Sequence, residues 1–314
     1  MTRLSQVQMG ALCATGAVVC FTTNDTTVKF LSGGYALHQI ILIRSILGLA
    51  ITLLVLAPFH GGLKVFRTER LSAHLLRSFF VFVANMAFFL GLATMPLADA
   101  TAIFFISPLL ITLFSVVFLQ EYVGPWRWAA IGIGFIGVVV MMRPGTTAFQ
   151  YTTFLPVIAA FAYAALHTMT RALGKTESAV TLSVYIQMMF IIASILIGLA
   201  VGDGKFGDQS DPSLHFLLRP WVWPDQSDLP FFAILGVGVS GAGFLISQAY
   251  RVAAASFVAP FEYLTLPLAV LFGILIFDEW PDAIAYFGMT LILLAGVLTI
   301  WRDAVHARAP GPAR

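Results

Sequence analysis

A chain of 314 residues, 59% of them hydrophobic and only 10% charged, with a mean hydropathy of +0.92, cannot build a water-exposed surface. Soluble domains carry about 25% charged residues, so much of this surface must face lipid. The net charge of +2 is too small against so much apolar surface to suggest a nucleic-acid partner.

A membrane-spanning helix needs about 20 mostly apolar residues. The first such run, 8–31, follows Arg3 in the manner of a signal peptide. It continues to Asn24 without a convincing cleavage site, so it is read as a retained span. Cys13 and Cys20 lie seven residues apart on it. At 1.5 Å per residue that is roughly 10 Å, beyond the ~7 Å a disulfide tolerates, so both are read as packing residues.

The end of this run, "FTTNDTTVKF" at 21–30, places Asn24, Asp25 and Lys29 where apolar residues are expected. The second run, 35–57, contains Arg44. Counting from the helix ends, Asp25 and Arg44 lie roughly 9–14 Å below the outer surface. Charges at that depth cost several kcal/mol unless they are paired or face a wet interior. Three arrangements satisfy this. Asp25 and Arg44 can form a buried ion pair pinning helices one and two. Asp25 can pair locally with Lys29 at i,i+4 while Lys29 snorkels outward. Or Asp25 and Asn24 belong to a substrate site or outer gate, which a separable ion pair would also serve.

Runs at 71–93, 98–119 and 125–142 follow, the first with Asn85 and the last with the closely spaced glycines of "IGIGFIG". Run 152–171 holds "FAYAALHTMTR", with Tyr163 and His167. Aligning Lys29 with Arg171 sets His167 opposite Asp25, near the inner side. A histidine there can titrate near neutral pH, or simply bond a neighbouring helix. "RALGKT" ends like a phosphate-binding loop, but the motif's first glycine falls on Met169 and no strand precedes it. After run 178–201, with Tyr185 and Gln187, the loop 202–228 carries five aspartates and Phe206, Phe216, Trp221 and Trp223. It is expected to rest on the headgroups. Run 229–252 brings Ser247, Gln248 and Tyr250. Run 255–277 holds "APFEYLTLP", where Glu262 and Tyr263 stand between Pro260 and Pro267. Prolines at membrane depth free backbone carbonyls, which is tolerated where neighbours or a wet cavity satisfy them. Glu262 is thus the sharpest candidate for substrate or proton binding. The tenth run is 282–301.

With the N-terminus inside, the inner flanks hold Arg3, Lys64, Arg67, Arg70, Arg77, Arg127, Arg171, Lys175, Arg251, Arg302, Arg308 and Arg314. The outer flanks hold only Lys29, Arg143, Lys205 and Arg219. The bias predicts both termini in the cytoplasm and the 202–228 loop outside. The chain also repeats. "GVVVMMR" (137–143) and "GVLTIWR" (296–302) end helices five and ten, 159 residues apart, and the same offset sets Pro108 on Pro267. Glu121 and Glu279 follow these prolines, each before a proline that can open a helix. Two halves of five helices, 1–145 and 146–314, would enter the membrane from opposite sides, the inverted construction common in secondary transporters.

Residues 91–145 and 248–300 each carry an alanine-rich link, a proline-bearing helix, a terminal Glu and a glycine-bearing last helix. In this the chain resembles the drug/metabolite transporter superfamily, specifically its ten-helix EamA-type members. The opening "FTTNDTTVKF…HQIILIR" looks like a proteobacterial subgroup that includes riboflavin importers. The resemblance implies an all-α membrane bundle. Helices one, three, four, six, eight and nine would surround a central cavity, with five and ten packed outside. It implies a small organic metabolite as substrate, riboflavin or an amino-acid-like solute, taken up or exported across the inner membrane by alternating access. The residues expected at the substrate or coupling site are Glu262, Tyr263, Asp25, Asn24, His167, Asn85, Gln248 and Tyr163. No HExxH, GxSxG, metal spacing or ATP-hydrolysing motif occurs, so no cofactor and no enzyme activity are expected. The partners expected are the substrate and the bilayer, with the chain a monomer or homodimer. The rival readings are an intramembrane enzyme using Asp25, His167 and Glu262, and a passive channel.

Overall fold

In the computed structural model, residues 6–60, 62–68, 70–120, 124–145, 150–173, 179–252 and 261–308 are described. Among them the chain is helical with no strand. The helices are α1 (Gln6–Leu31), α2 (Leu37–Ile51), α3 (Leu71–Leu92), α4 (Leu97–Phe104), α5 (Ser107–Leu119) and α6 (Pro125–Met142). They continue as α7 (Phe154–Leu173), α8 (Ala179–Val201), α9 (Pro212–Leu218), α10 (Leu229–Val252), α11 (Thr265–Phe277) and α12 (Ala283–Arg308). Among the described residues, six stretches are long and apolar enough to cross a membrane: 37–59, 71–92, 97–118, 151–169, 180–201 and 229–246. Shorter apolar helices cover 128–142, 265–277 and 283–298. Large side chains such as Leu54, Phe118, Leu199 and Leu275 project from the bundle, where lipid can cover them. The protein is a multi-pass membrane protein.

The fourth run is broken between α4 and α5, and Pro108 explains the break. Proline has no N–H to give the carbonyl of Phe104. The chain tightens there, with Ile106 N–H on Ile103 O, then restarts with Leu110 N–H on Ile106 O. α11 likewise carries Pro267 in its first turn. α5 and α11 are 13 residues each, 158 positions apart, and each is followed by a left-handed residue, Gln120 (φ 56°) and Asp278 (φ 53°).

α1 packs on α10, α3 on α7, α2 on α8 and α10, α4 on α11, and α6 on α12. Glycine sets the last contact. A Cβ on Gly137 would lie 3.0 Å from the Gly288 carbonyl, and one on Gly288 would lie 3.0 Å from the Gly137 carbonyl. The "IGIGFIG" glycines Gly134 and Gly137 are thus sites of close helix approach. In "GVGVSGAG" only Gly236 is equally tight, against Leu47.

The 203–228 segment is not a free surface loop. It is strapped over the α1–α2 turn and the end of α3. Tyr35 Oη donates to Asp228 at 2.6 Å and accepts from Asp225 N–H at 3.0 Å. Gln39 donates to Val222 O at 2.5 Å and accepts from Val222 N–H at 3.3 Å. Ser213 donates to Leu90 O at 2.7 Å. Asp211 caps α9 by accepting Leu214 N–H at 2.9 Å, with Pro212 opening the helix. Phe216 is buried beneath the strap, and Trp223 alone of the four aromatics is almost fully exposed, 93%.

Candidate functional site

α1 and α2 carry the first polar group. Asn24 is buried, and its amide donates to the half-buried Asp25 carboxylate at 3.2 Å. The Asn24 carbonyl oxygen is buried with no hydrogen-bond partner, and its Cβ faces Gly238 of α10. Arg44 is 2% exposed. It donates to Asn85 Oδ1 of α3 at 3.3 Å, and its guanidinium lies over Phe89 (5.5 Å) and Phe190 (5.4 Å). The expected Asp25–Arg44 ion pair is absent from the ion pairs of the described residues. The cation is held by an amide and two ring faces, and Asp25 reaches it only through space. Arg44 is thus enclosed between α2, α3 and α8.

The second group lies on α7 and at the start of the α11 segment. Tyr163 and His167, one turn apart on α7, stack at 4.3 Å, and Phe104 meets Tyr163 edge-on at 5.2 Å. His167 is exposed on the bundle, whereas Tyr163 is half-buried. The half-buried Glu262 lies within electrostatic reach of both Tyr163 and Tyr263. Tyr163, His167 and Glu262 therefore form one neighbourhood. The Tyr263 ring rests on Gly296 of α12, with Phe105 at 5.4 Å. Gln248 is half-buried on α10, and the side chains of Ser247 and Tyr250 lie outside the described residues.

Lys29 does not pair locally with Asp25 or snorkel. Its ammonium binds Glu279 Oε1 at 2.5 Å and Met95 O at 2.8 Å. The second Glu279 oxygen accepts Leu97 N–H, the first residue of α4, at 3.0 Å. The cap of α12 is Asp282, which accepts Ala285 N–H at 2.8 Å. Sequence reasoning missed this role of Lys29 and Glu279. The one available signal was that both are charged residues at the ends of apolar runs on the same side of the membrane.

Residues 8–143 match the EamA-like transporter family. Among curated proteins, the chain is 30% identical over 249 residues to a riboflavin transporter of Rhizobium johnstonii, covering 79% of this chain and 76% of that one. It is 29% identical over 306 residues to a riboflavin transporter of Vibrio cholerae, covering 95% of each. It is 25% identical over 289 residues to an S-adenosylmethionine uptake transporter of Rickettsia prowazekii, covering 91% and 90%. A crystal structure of a protein 18% identical superposes with a TM-score of 0.63 over 96% of this chain and 99% of that one, which shows a shared fold. An apolar helical bundle with polar groups facing its interior, matched along nearly its whole length by proteins of one kind, belongs to the EamA-like transporter family of the drug/metabolite transporter superfamily.

Proposed function

We propose that this secondary transporter of a small metabolite carries riboflavin or a close flavin-like solute across the inner membrane. It does so by alternating access between two inverted five-helix halves, 1–145 and 146–314. The observation that carries the substrate reading is the similarity to two proteins named as riboflavin transporters, one of them matched over 95% of each chain. The interior chemistry suits such a solute. A flat aromatic ring can stack on rings such as Phe104 and Tyr163, and a polyol chain can bond Asn24, Asp25, Asn85, His167 and Glu262.

The inverted-repeat reading is supported by α5 and α11, with equal lengths, early prolines and left-handed ends. It is supported also by the packing pairs. Under a two-fold exchange of halves, α1 on α10 becomes α7 on α3, while α2 on α8 and α6 on α12 each map onto themselves. Such pairing gives each end of the bundle an equivalent way to open.

Glu262 is the carboxylate proposed to bind substrate or a coupling proton. Proteoliposome uptake of labelled riboflavin, with and without a proton gradient, tests the reading. Saturable uptake is expected in the wild type, with a loss of about tenfold or of pH dependence in Glu262→Gln at normal expression. Uptake no greater than in empty liposomes, with S-adenosylmethionine carried instead, overturns the substrate assignment. Normal transport by Glu262→Gln at every pH makes that residue a packing group.

A further inference from the structure

Lys29, in the last turn of α1, has 10% side-chain exposure, and Glu279, just past α11, is 23% exposed. This one residue from the second half is tied to the first half twice, by the Lys29 ammonium (2.5 Å) and by Leu97 N–H (3.0 Å). Lys29 itself also holds Met95 O in the turn before α4, and the Phe277 ring lies 5.1 Å from its ammonium. The left-handed Asp278 turns the chain so that Glu279 N–H closes on Gly273 O at 3.0 Å, which fixes where the carboxylate points.

The other described ion pairs are different. Arg143–Asp282 also joins the halves, but Asp282 is 54% exposed, and α6 and α12 already touch backbone to backbone there. Lys205–Asp203 lies within the strap at 78% and 46% exposure. Exposed pairs contribute about 0–1 kcal/mol, whereas breaking a shielded pair strands a charge. Beside the shielded pair stands Asp99, in the first turn of α4. Its Oδ1 is buried with no hydrogen-bond partner. The charges of Asp282 and Arg143 reach it most strongly, and those of Glu279 and Lys29 after them.

We propose that Lys29 and Glu279 form a latch closing the end of the bundle that carries the 203–228 strap, and that Asp99 receives Lys29 when Glu279 withdraws. The latch rests on the alternating-access reading above. Lys29 and Asp99 both belong to the first half and move together, while Glu279 leaves with α11. The exchange keeps the ammonium paired in both states, so opening does not strand a cation in an apolar setting. It also gives the orphaned Asp99 oxygen a partner in the open state.

The test uses the full-length protein in lipid nanodiscs, where both faces meet the reagent. Cys13 and Cys20 are replaced by alanine, and Thr26→Cys, buried one turn below Lys29, reports opening through its maleimide labelling rate. Glu279→Gln is expected to raise that rate at least tenfold, and Asp99→Asn to lower it severalfold. An unchanged rate in Glu279→Gln overturns the latch. An unchanged or faster rate in Asp99→Asn overturns the exchange. Against variants that misfold, Lys29→Cys/Glu279→Cys joined by a reducible thiol cross-linker is expected to lose riboflavin transport and regain it on reduction. Full transport while linked also overturns the latch. Labelling is read without substrate, so a protein that ignores riboflavin sinks the substrate assignment and still tests the latch.

Discussion

Arg44 carries a full charge to the middle of a helix whose neighbours are leucine and isoleucine. A cation at such depth costs about 2.5–3.5 kcal/mol on insertion scales. Two phenyl faces and one amide oxygen offset that cost. The depth was legible from residue counting, but the partner was not. Pairing by opposite sign selects Asp25, whereas packing selects groups whose position depends on how α3 and α8 are rotated. The same limit hid Glu279, because a carboxylate near a helix start can serve any N-terminus that folding brings close. For Arg44 the consequence is a test. Asn85→Leu removes its hydrogen-bond acceptor and leaves the donor buried, at about 1–3 kcal/mol. Its thermal unfolding temperature in detergent should fall, and Arg44→Met/Asn85→Leu should recover part of the loss. A double variant less stable than Asn85→Leu alone would show that the ring faces hold Arg44 without the amide.

At the scale of elements, apolar runs give helix positions well because a span must satisfy its own backbone in lipid. Described helices overlap each of the ten sequence runs, six stretches among the described residues are long and apolar enough to cross a membrane, and the ninth run overlaps α11 only at its C-terminal part, with 253–260 outside the described residues. What the runs do not reveal is where a helix breaks or how closely two cross. The α6–α12 crossing depends on Gly137 and Gly288 lying against each other's carbonyls. Gly137→Ile puts four carbons where there is no room, and overpacking costs about 1–3 kcal/mol. Gly243→Ala, on α10 with nothing within 4 Å of its Cβ, should leave the unfolding temperature unchanged in the same assay. The start of α12 gives a second, pH-dependent check. Asp282, in the turn before the helix, has its carboxyl held below the usual carboxylate range, first by Arg143 and then by Ala285 N–H. A depressed value adds stability above the ordinary carboxylate pKa, and that stability is lost as pH falls through the lower folded value. Asp282→Ala should therefore cost about 1 kcal/mol at neutral pH, the worth of an N-cap. The gap to wild type should begin to narrow as pH falls below about 4 and close below the lower folded value.

At the scale of the whole molecule, the folded bundle leaves its direction in the membrane to charge. Its two ends differ sharply. One carries the acidic strap anchored by Tyr35 and Gln39, with the Lys29–Glu279 pair beside it. The other carries most of the Lys and Arg flanks, among them Lys64, Arg70, Arg77 and Arg127. Lys and Arg near span ends are retained on the cytoplasmic side, so the strap should lie outside and both termini inside. An odd number of spans in each half would then place the second half in the opposite orientation, which is what lets one half reproduce at one face what the other does at its opposite. A single cysteine at Ser210, within the strap, should react with a membrane-impermeant maleimide in intact cells. One at Pro310, beyond α12, should react only after the membrane is opened. The reverse pattern would invert the protein and place the Lys29–Glu279 latch on the cytoplasmic face. Labelling of both positions in intact cells would put the strap and the C-terminus on one side with an even number of spans between them, and the two-half construction would fail with it.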